Sequence, residues 1–112
     1  PLLMAVVISE LLEELGFKPQ LKWPNDVLLN GKKVSGILCE VIDKAVILGV
    51  GLNINMTLEQ LNQIDQPATS LLVEQGVPFS VEELTTLVAE QLADAVRVFE
   101  QAGAEPISLP EG

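Results

Sequence analysis

The sequence predicts an α/β (α+β) domain in which a mixed, mostly antiparallel sheet is covered by helices. Three observations lead there: an unbroken apolar stretch at the start, a series of short β-branched segments parted by turn residues in the middle, and a 3.6-residue apolar rhythm in the last third. At 112 residues the chain has room for one domain with a modest core. A hydrophobic share of 48% alongside a formal net charge of −10 implies a surface that is partly apolar or covered by another structure.

From Leu2 to Leu15 apolar residues nearly fill the segment, Glu10, Glu13 and Glu14 gather toward its end, and Gly16 supplies a stop. This reads as a largely buried helix. No basic residue precedes it and no small-residue cleavage site follows, so it is not a signal peptide. Its polar residues are too few for a helix standing in water, so it is expected to pack against preceding sequence and leave an apolar patch. The absence of an initiating Met and this abrupt apolar opening both lead us to expect a chain that is part of a larger one.

Pro19 breaks the helical pattern, and Gln20 to Trp23 reads as a short strand ending at the turn Pro24-Asn25-Asp26. Val27 to Leu29 forms the next strand. Asn30-Gly31 is a strong type I′ hairpin signal, because both positions require positive φ. Lys33 to Ile42 reads as a strand interrupted at Ser35-Gly36, and Asp43-Lys44 returns it to a strand over Ala45 to Val50. After Met56 the pattern turns helical. Pro67, Thr69 and Ser70 open a segment through Val73 that stops at Gly76. Ser80 and Glu83 form a capping-box pattern for a last helix, with Val81, Leu84, Leu87, Val88, Leu92, Ala95, Val96 and Phe99 on one face and a stop near Gly103. The division is therefore a domain over 1–103 and a frayed tail over 104–112.

Charge is distributed unevenly: residues 1–17 carry −3, residues 18–44 carry +2 through five lysines, and residues 45–112 carry −9 with Arg97 as their one cation. A nucleic-acid surface needs an extended basic field, which this segment lacks. A small anionic ligand needs only a local cluster, such as Lys22, Lys32 and Lys33. No stretch is long and apolar enough for a membrane span. A lone cysteine, Cys39, in a chain without histidine offers no zinc set and no Cys-His nucleophile, and it suits a small core residue in a reducing, cytoplasmic setting.

The chemistry concentrates in Lys22-Trp23-Pro24-Asn25-Asp26, where a cation, a large ring, a rigid turn, an amide and a carboxylate occupy five positions. The Asn30-Gly31 turn should fold Lys33 back across from Asp26 and its neighbours. On the residues alone this is equally an ordinary turn with a solvated ion pair. Gly36, Gly49 and Gly51 lie on strands, where glycine costs stability; close approach of a flat ligand is one reason for them and sheet bulges are another.

The segment Lys22–Glu40 followed by Ile47–Asn55 resembles the central catalytic segment of biotin protein ligases, in which Lys-Trp-Pro-Asn-Asp, a hairpin, a Lys-Lys-Xaa-Xaa-Gly-Ile-Leu strand and a Gly-Xaa-Gly-Leu-Asn strand occur in this order. Pro67-Ala68-Thr69-Ser70-Leu71 is similar to that family too. The resemblance spans about residues 1–103 and implies a class II synthetase-like partial domain that ligates biotin to a carrier-protein lysine through biotinyl-adenylate. It assigns catalysis to Lys33, at the biotin carboxylate and α-phosphate, and to Asp26, beside the attacking amine. It assigns Lys22 and Asn25 to the nucleotide and acyl-phosphate region, Gly36, Leu38, Gly49 and Gly51 to the biotin pocket floor, and Leu52 and Asn53 to the adenosine and phosphates. Substrates would be biotin and ATP, with Mg2+ carried by ATP and no protein metal cage.

Partners implied by the resemblance are a biotin carboxyl carrier protein and the upstream half of the same catalytic domain, and a homodimer is compatible with it. The family's glycine- and arginine-rich loop and its later β-barrel are absent from this sequence, so adenylation by this segment alone is not expected. A lipoate-type ligase and a non-catalytic module that binds biotin or a partner are the rival readings.

Overall fold

The computed structural model describes residues 2–101. The expected stop near Gly103 and the tail over 104–112 lie outside the described residues. The elements are α1 (Leu2–Glu14), β1 (Gln20–Lys22), β2 (Asp26–Leu29), β3 (Lys32–Ile42), β4 (Ala45–Leu52), α2 (Leu58–Leu61), α3 (Leu71–Gln75) and α4 (Val81–Gln101). The strands form one antiparallel meander in the order β1-β2-β3-β4, and an isolated parallel bridge joins Lys33 to Ala68. The described sheet is thus antiparallel rather than mixed, and the parallel contact is a single bridge outside it.

Helix α1 ends in a Schellman motif: Gly16 has φ 96°, its N–H donates to Glu13 O at 3.0 Å, and Phe17 N–H donates to Leu12 O at 2.9 Å. Met4, Ala5, Val7, Ile8, Leu11 and Leu12 are all buried. The expectation that this helix needs outside sequence to cover it is corrected here. One side of α1 packs on β1 to β3, and α4 lies along it. From α4, Leu84 is buried and Val88 and Leu92 pack on the core, whereas Val81 and Leu87 are exposed; the side chains of Val96 and Phe99 lie outside the described residues.

Exposed apolar surface instead lies at the far end of the β3–β4 hairpin, where Val41, Ile42, Val46 and Ile47 are each at least half exposed. Cys39, anticipated as a core residue, is only half-buried on β3 opposite Leu48. The outer edge of β4 pairs with no strand among the described residues.

The Asn30-Gly31 turn has the positive φ that its sequence suggests, and the Asp43-Lys44 turn shares that backbone. Asn30 and Gly31 have φ of 51° and 76°, and Asp43 and Lys44 reach 48° and 67° without any glycine. Strand β3 is continuous through Ser35-Gly36, contrary to the expected interruption. The irregularity is a bulge one residue earlier: Leu28 pairs with Lys33 and Val27 with Ser35, leaving Val34 as the extra residue. Helix α2 opens the helical pattern expected after Met56; it is a single turn closed by a capping box between Thr57 and Gln60.

Candidate active site

The bulge decides which side chains share a face. A two-residue turn alone would set Lys33 opposite Leu28 and Ser35 opposite Asp26. Absorbing Val34 into the core moves everything beyond it by one position, so Gly36 rather than Ser35 faces Asp26. Ile37 then turns into the core, and Gly36 and Leu38 turn to the opposite face. Lys33, three residues from Gly36, would stand on the other side of an unbulged strand. Here both lie on one side, next to Asp26.

A transverse row crosses all four strands: Lys22 opposite Asp26, Asp26 opposite Gly36, Gly36 opposite Gly51. Directly opposed residues share a face, so this row runs from a cation through a carboxylate to two positions with no side chain. In the next row Leu38 is opposite Gly49. Leu38 stands 70% exposed above this bare backbone, an apolar wall beside a polar corner. The two glycine positions of β4 leave ordinary space only: a methyl at Gly51 would reach 3.8 Å from Gly36 O, and one at Gly49 3.8 Å from Leu38 Cβ.

Over this face opens a cleft of about 670 Å³. That is within the usual size of small-molecule sites. Asn25, Asp26, Lys33, Gly36, Leu38, Gly49, Gly51 and Asn53 all line it, so residues spread from 25 to 53 meet in one place. Lys33 Nζ lies 3.4 Å from Asp26 Oδ1, with the two side chains 31% and 28% exposed. The pair is hydrated enough to exchange partners and close enough for each to hold the other's position.

Lys33 is diagonal to Asp26 rather than directly across from it, because the residue opposite Lys33 is Leu28. Two assigned residues fall outside the cleft lining. Lys22 is exposed on the edge strand β1, in line with Asp26. Leu52 pairs with Ser35 and packs on the hydrophobic core, so it is a core residue and not a cleft residue in this structure. The alternation of strand faces that exposes Gly49 and Gly51 turns Leu52 inward.

Sequence reading missed what holds the cleft walls. Ser35 Oγ donates to Gly51 O at 2.6 Å, fastening β3 to β4 under the glycine row. Asn53 N–H donates to Val34 O at 2.9 Å, and Asn53 Nδ2 donates to Thr69 O at 3.1 Å. The strap Pro67–Thr69 closes on Lys33 from the other side: Lys33 N–H donates to Pro67 O at 3.1 Å and Thr69 N–H donates to Lys33 O at 2.9 Å. The buried polar pair Thr69-Ser70 ahead of a helix was the available signal. No group of three or more His, Cys, Asp or Glu side chains that could hold a metal occurs among the described residues. No helix among them is long and apolar enough to cross a membrane.

The chain belongs to the biotin/lipoate A/B protein ligase family, whose family model matches residues 2–56 and so takes in the hairpin, the glycine row and the Lys33–Asp26 corner. It is 32% identical over 111 residues to the bifunctional ligase/repressor BirA of Escherichia coli (strain K12), a match covering 94% of this chain and 34% of BirA. It is 56% identical over 52 residues to the biotin–[acetyl-CoA-carboxylase] ligase of Mycobacterium tuberculosis, covering 46% of this chain and 18% of that protein. The fold is that of the biotin protein ligase from Aquifex aeolicus solved in complex with biotin and ATP, with a TM-score of 0.81, 34% identity, and coverage of 90% of this chain and 44% of that one. The chain thus spans about a third of BirA and under half of the solved ligase.

Proposed function

We propose that the chain carries the lysine-bearing half of a site that joins biotin to a lysine of a biotin carboxyl carrier protein through biotinyl-5′-adenylate. The observation that carries this reading is the Lys33–Asp26 pair at the polar end of a cleft whose floor is Gly36, Gly49 and Gly51. In the first step a biotin carboxylate oxygen attacks the α-phosphorus of ATP, the bond to the bridging oxygen breaks and pyrophosphate leaves. Negative charge gathers on the non-bridging oxygens, and the Lys33 ammonium opposes it from a fixed position. Glycines let the bicyclic ring lie close against backbone, with Leu38 as its apolar wall.

In the second step the carrier lysine amine attacks the acyl carbonyl and AMP departs. The amine must lose a proton, and Asp26 is the carboxylate placed to receive it or to orient the amine. Asn25 and Asn53 flank the polar corner where phosphates would lie. Lys22, one strand further out in the same row, would act at the margin rather than in the cleft. Magnesium would arrive with ATP. The setting proposed is the cytoplasm, where ATP is supplied.

The upstream half of the family's catalytic domain would furnish further cationic groups, and the unpaired outer edge of β4 is where it would join the sheet. A homodimer is the other assembly that would cover this edge. The matched family model groups biotin with lipoate ligases, so a lipoate-type activity is the second reading. Biotin-dependent exchange of labelled pyrophosphate into ATP by the natural full-length protein, run beside lipoate, tests the choice. Exchange with biotin and none with lipoate is the expected result. Exchange with lipoate alone selects the second reading, and exchange with neither leaves a binding module.

A further inference from the structure

Glu74, on the short helix α3, is half-buried and is engaged by two neutral donors. Thr69 Oγ1 donates to its Oε2 at 2.6 Å, and Asn30 Nδ2, from the tip of the β2–β3 hairpin, donates to its Oε1. Two donors approaching from different elements need two acceptors on one rigid group, which a carboxylate provides. Thr69 is itself 1% exposed and spends its remaining groups on the cleft: its N–H goes to Lys33 O, and its carbonyl accepts from Asn53 Nδ2. A closed circuit results, running from Asn30 along β3 to Lys33, across to Thr69, on to Glu74 and back to Asn30.

This circuit surrounds an irregular part of the sheet. Lys33 is two residues from a hairpin tip, where strands fray, and it adjoins the bulge at Val34, where the regular ladder to β2 is broken. The strap over Pro67–Thr69 replaces the lost order by holding both backbone groups of Lys33. Glu74 in turn fixes the strap relative to the hairpin tip.

We propose that Glu74 is a positioning residue for Lys33: with Thr69 it clamps the base of the lysine and, through Asn53, the opposite cleft wall, so the ammonium is aimed before a ligand arrives. The catalytic half of this proposal rests on the ligase reading above. A misplacement of about 1 Å can cost on the order of a hundredfold in rate, so even partial loosening should be measurable.

The test uses Glu74→Ala, Glu74→Gln and Asn30→Gly in the natural full-length protein. Amide hydrogen exchange of Lys33 and Thr69 should quicken by about tenfold in Glu74→Ala, while that of Ile37, whose N–H is held by Asn25 O, stays unchanged. Glu74→Gln should restore protection, since its Oε1 can accept from Asn30 and its Nε2 can donate to the Thr69 hydroxyl. Asn30→Gly keeps the positive-φ turn and cuts a single exposed arm, so it serves should the alanine variant fail to fold; about threefold loss of protection is expected there. In biotin-dependent pyrophosphate exchange, Glu74→Ala should lower kcat about tenfold with the biotin KM within about twofold, and should cost nothing further in a Lys33→Ala background. Unchanged amide protection overturns the clamp. Loosened amides with full kcat, or an additive loss beside Lys33→Ala, overturn its catalytic purpose. A wild-type protein without exchange overturns the ligase reading instead, and amide protection then decides the clamp by itself.

Discussion

The Lys33 side chain lies over the α-carbon of Gly36: a methyl group at that glycine would stand 2.9 Å from Lys33 Cε and 3.0 Å from Lys33 Nζ. The backbone of Gly36 is outside the left-handed region, so alanine is conformationally acceptable there and only the flexible lysine end must move. Gly36→Ala should therefore leave the thermal midpoint within about 2 °C of wild type while lowering the rate of biotin-dependent pyrophosphate exchange about tenfold. Gly51→Ala should differ. Its methyl meets only Gly36 O at 3.8 Å and projects from the cleft floor, so the biotin KM should rise about tenfold with kcat less affected. Equal kcat losses in the two variants would refute this division of roles.

Lys33→Ala removes the cation aimed at the cleft corner. Biotinyl-adenylate formation in the full-length protein should fall about a hundredfold or more, as for loss of one preorganised electrostatic donor. Because the pair with Asp26 is partly hydrated, urea unfolding should shift by no more than about 1 kcal/mol. Normal exchange in this variant would reduce Lys33–Asp26 to a surface ion pair.

Asp26→Asn keeps the shape and hydrogen-bonding reach of the side chain and removes its basicity. Pyrophosphate exchange should stay within a few-fold of wild type, while transfer of biotin to the carrier lysine slows by at least about tenfold. Measuring exchange and carrier labelling separately reports the two steps. A variant impaired equally in both would place Asp26 at the first step, holding Lys33 in line.

Ser70 is fully buried, accepts the Val73 N–H at 3.1 Å as the N-cap of α3, and donates to Met56 O at 2.6 Å. Ser70→Ala breaks both bonds inside the protein, so stability should drop by about 2 kcal/mol in urea denaturation. The strap that carries Thr69 starts beside this cap, and kcat should fall along with stability. A loss below about 0.5 kcal/mol would mean that water or a neighbouring group replaces the hydroxyl.

What was legible in the sequence was local. Asn30-Gly31 announced its turn because few other pairs take two positive φ values, and Gly16 announced the end of α1 for the same reason. The grouping of Asp26, Lys33, Gly36 and Gly49 followed from that turn and from the motif order. The bulge was not legible, since Val34-Ser35-Gly36 offers an interruption without saying which residue is surplus; packing of Val34 into the core decides it. Leu52 falls outside the cleft because strand alternation turns it to the face opposite Gly51, and a motif naming adjacent residues does not say which of them faces the cleft. The strap was missed because its bonds to Lys33 and Asn53 join segments far apart in the chain. The pattern of α1 shows that it must be buried and not by what; the sheet and the apolar side of α4 meet that need.

Strand β4 ends the sheet with Ala45–Leu52, eight residues carrying neither a charge nor a proline, and Val46 and Ile47 stand exposed on it. Edges in soluble proteins are ordinarily guarded by lysines, prolines or a covering element. Among the described residues nothing of that kind covers this edge. An edge strand offers its outward backbone donors and acceptors to any strand that can reach them, and the apolar flanks here favour such contact. An uncharged, apolar edge of this kind is a template for pairing with another strand, so self-association of the segment is expected to rise with its concentration.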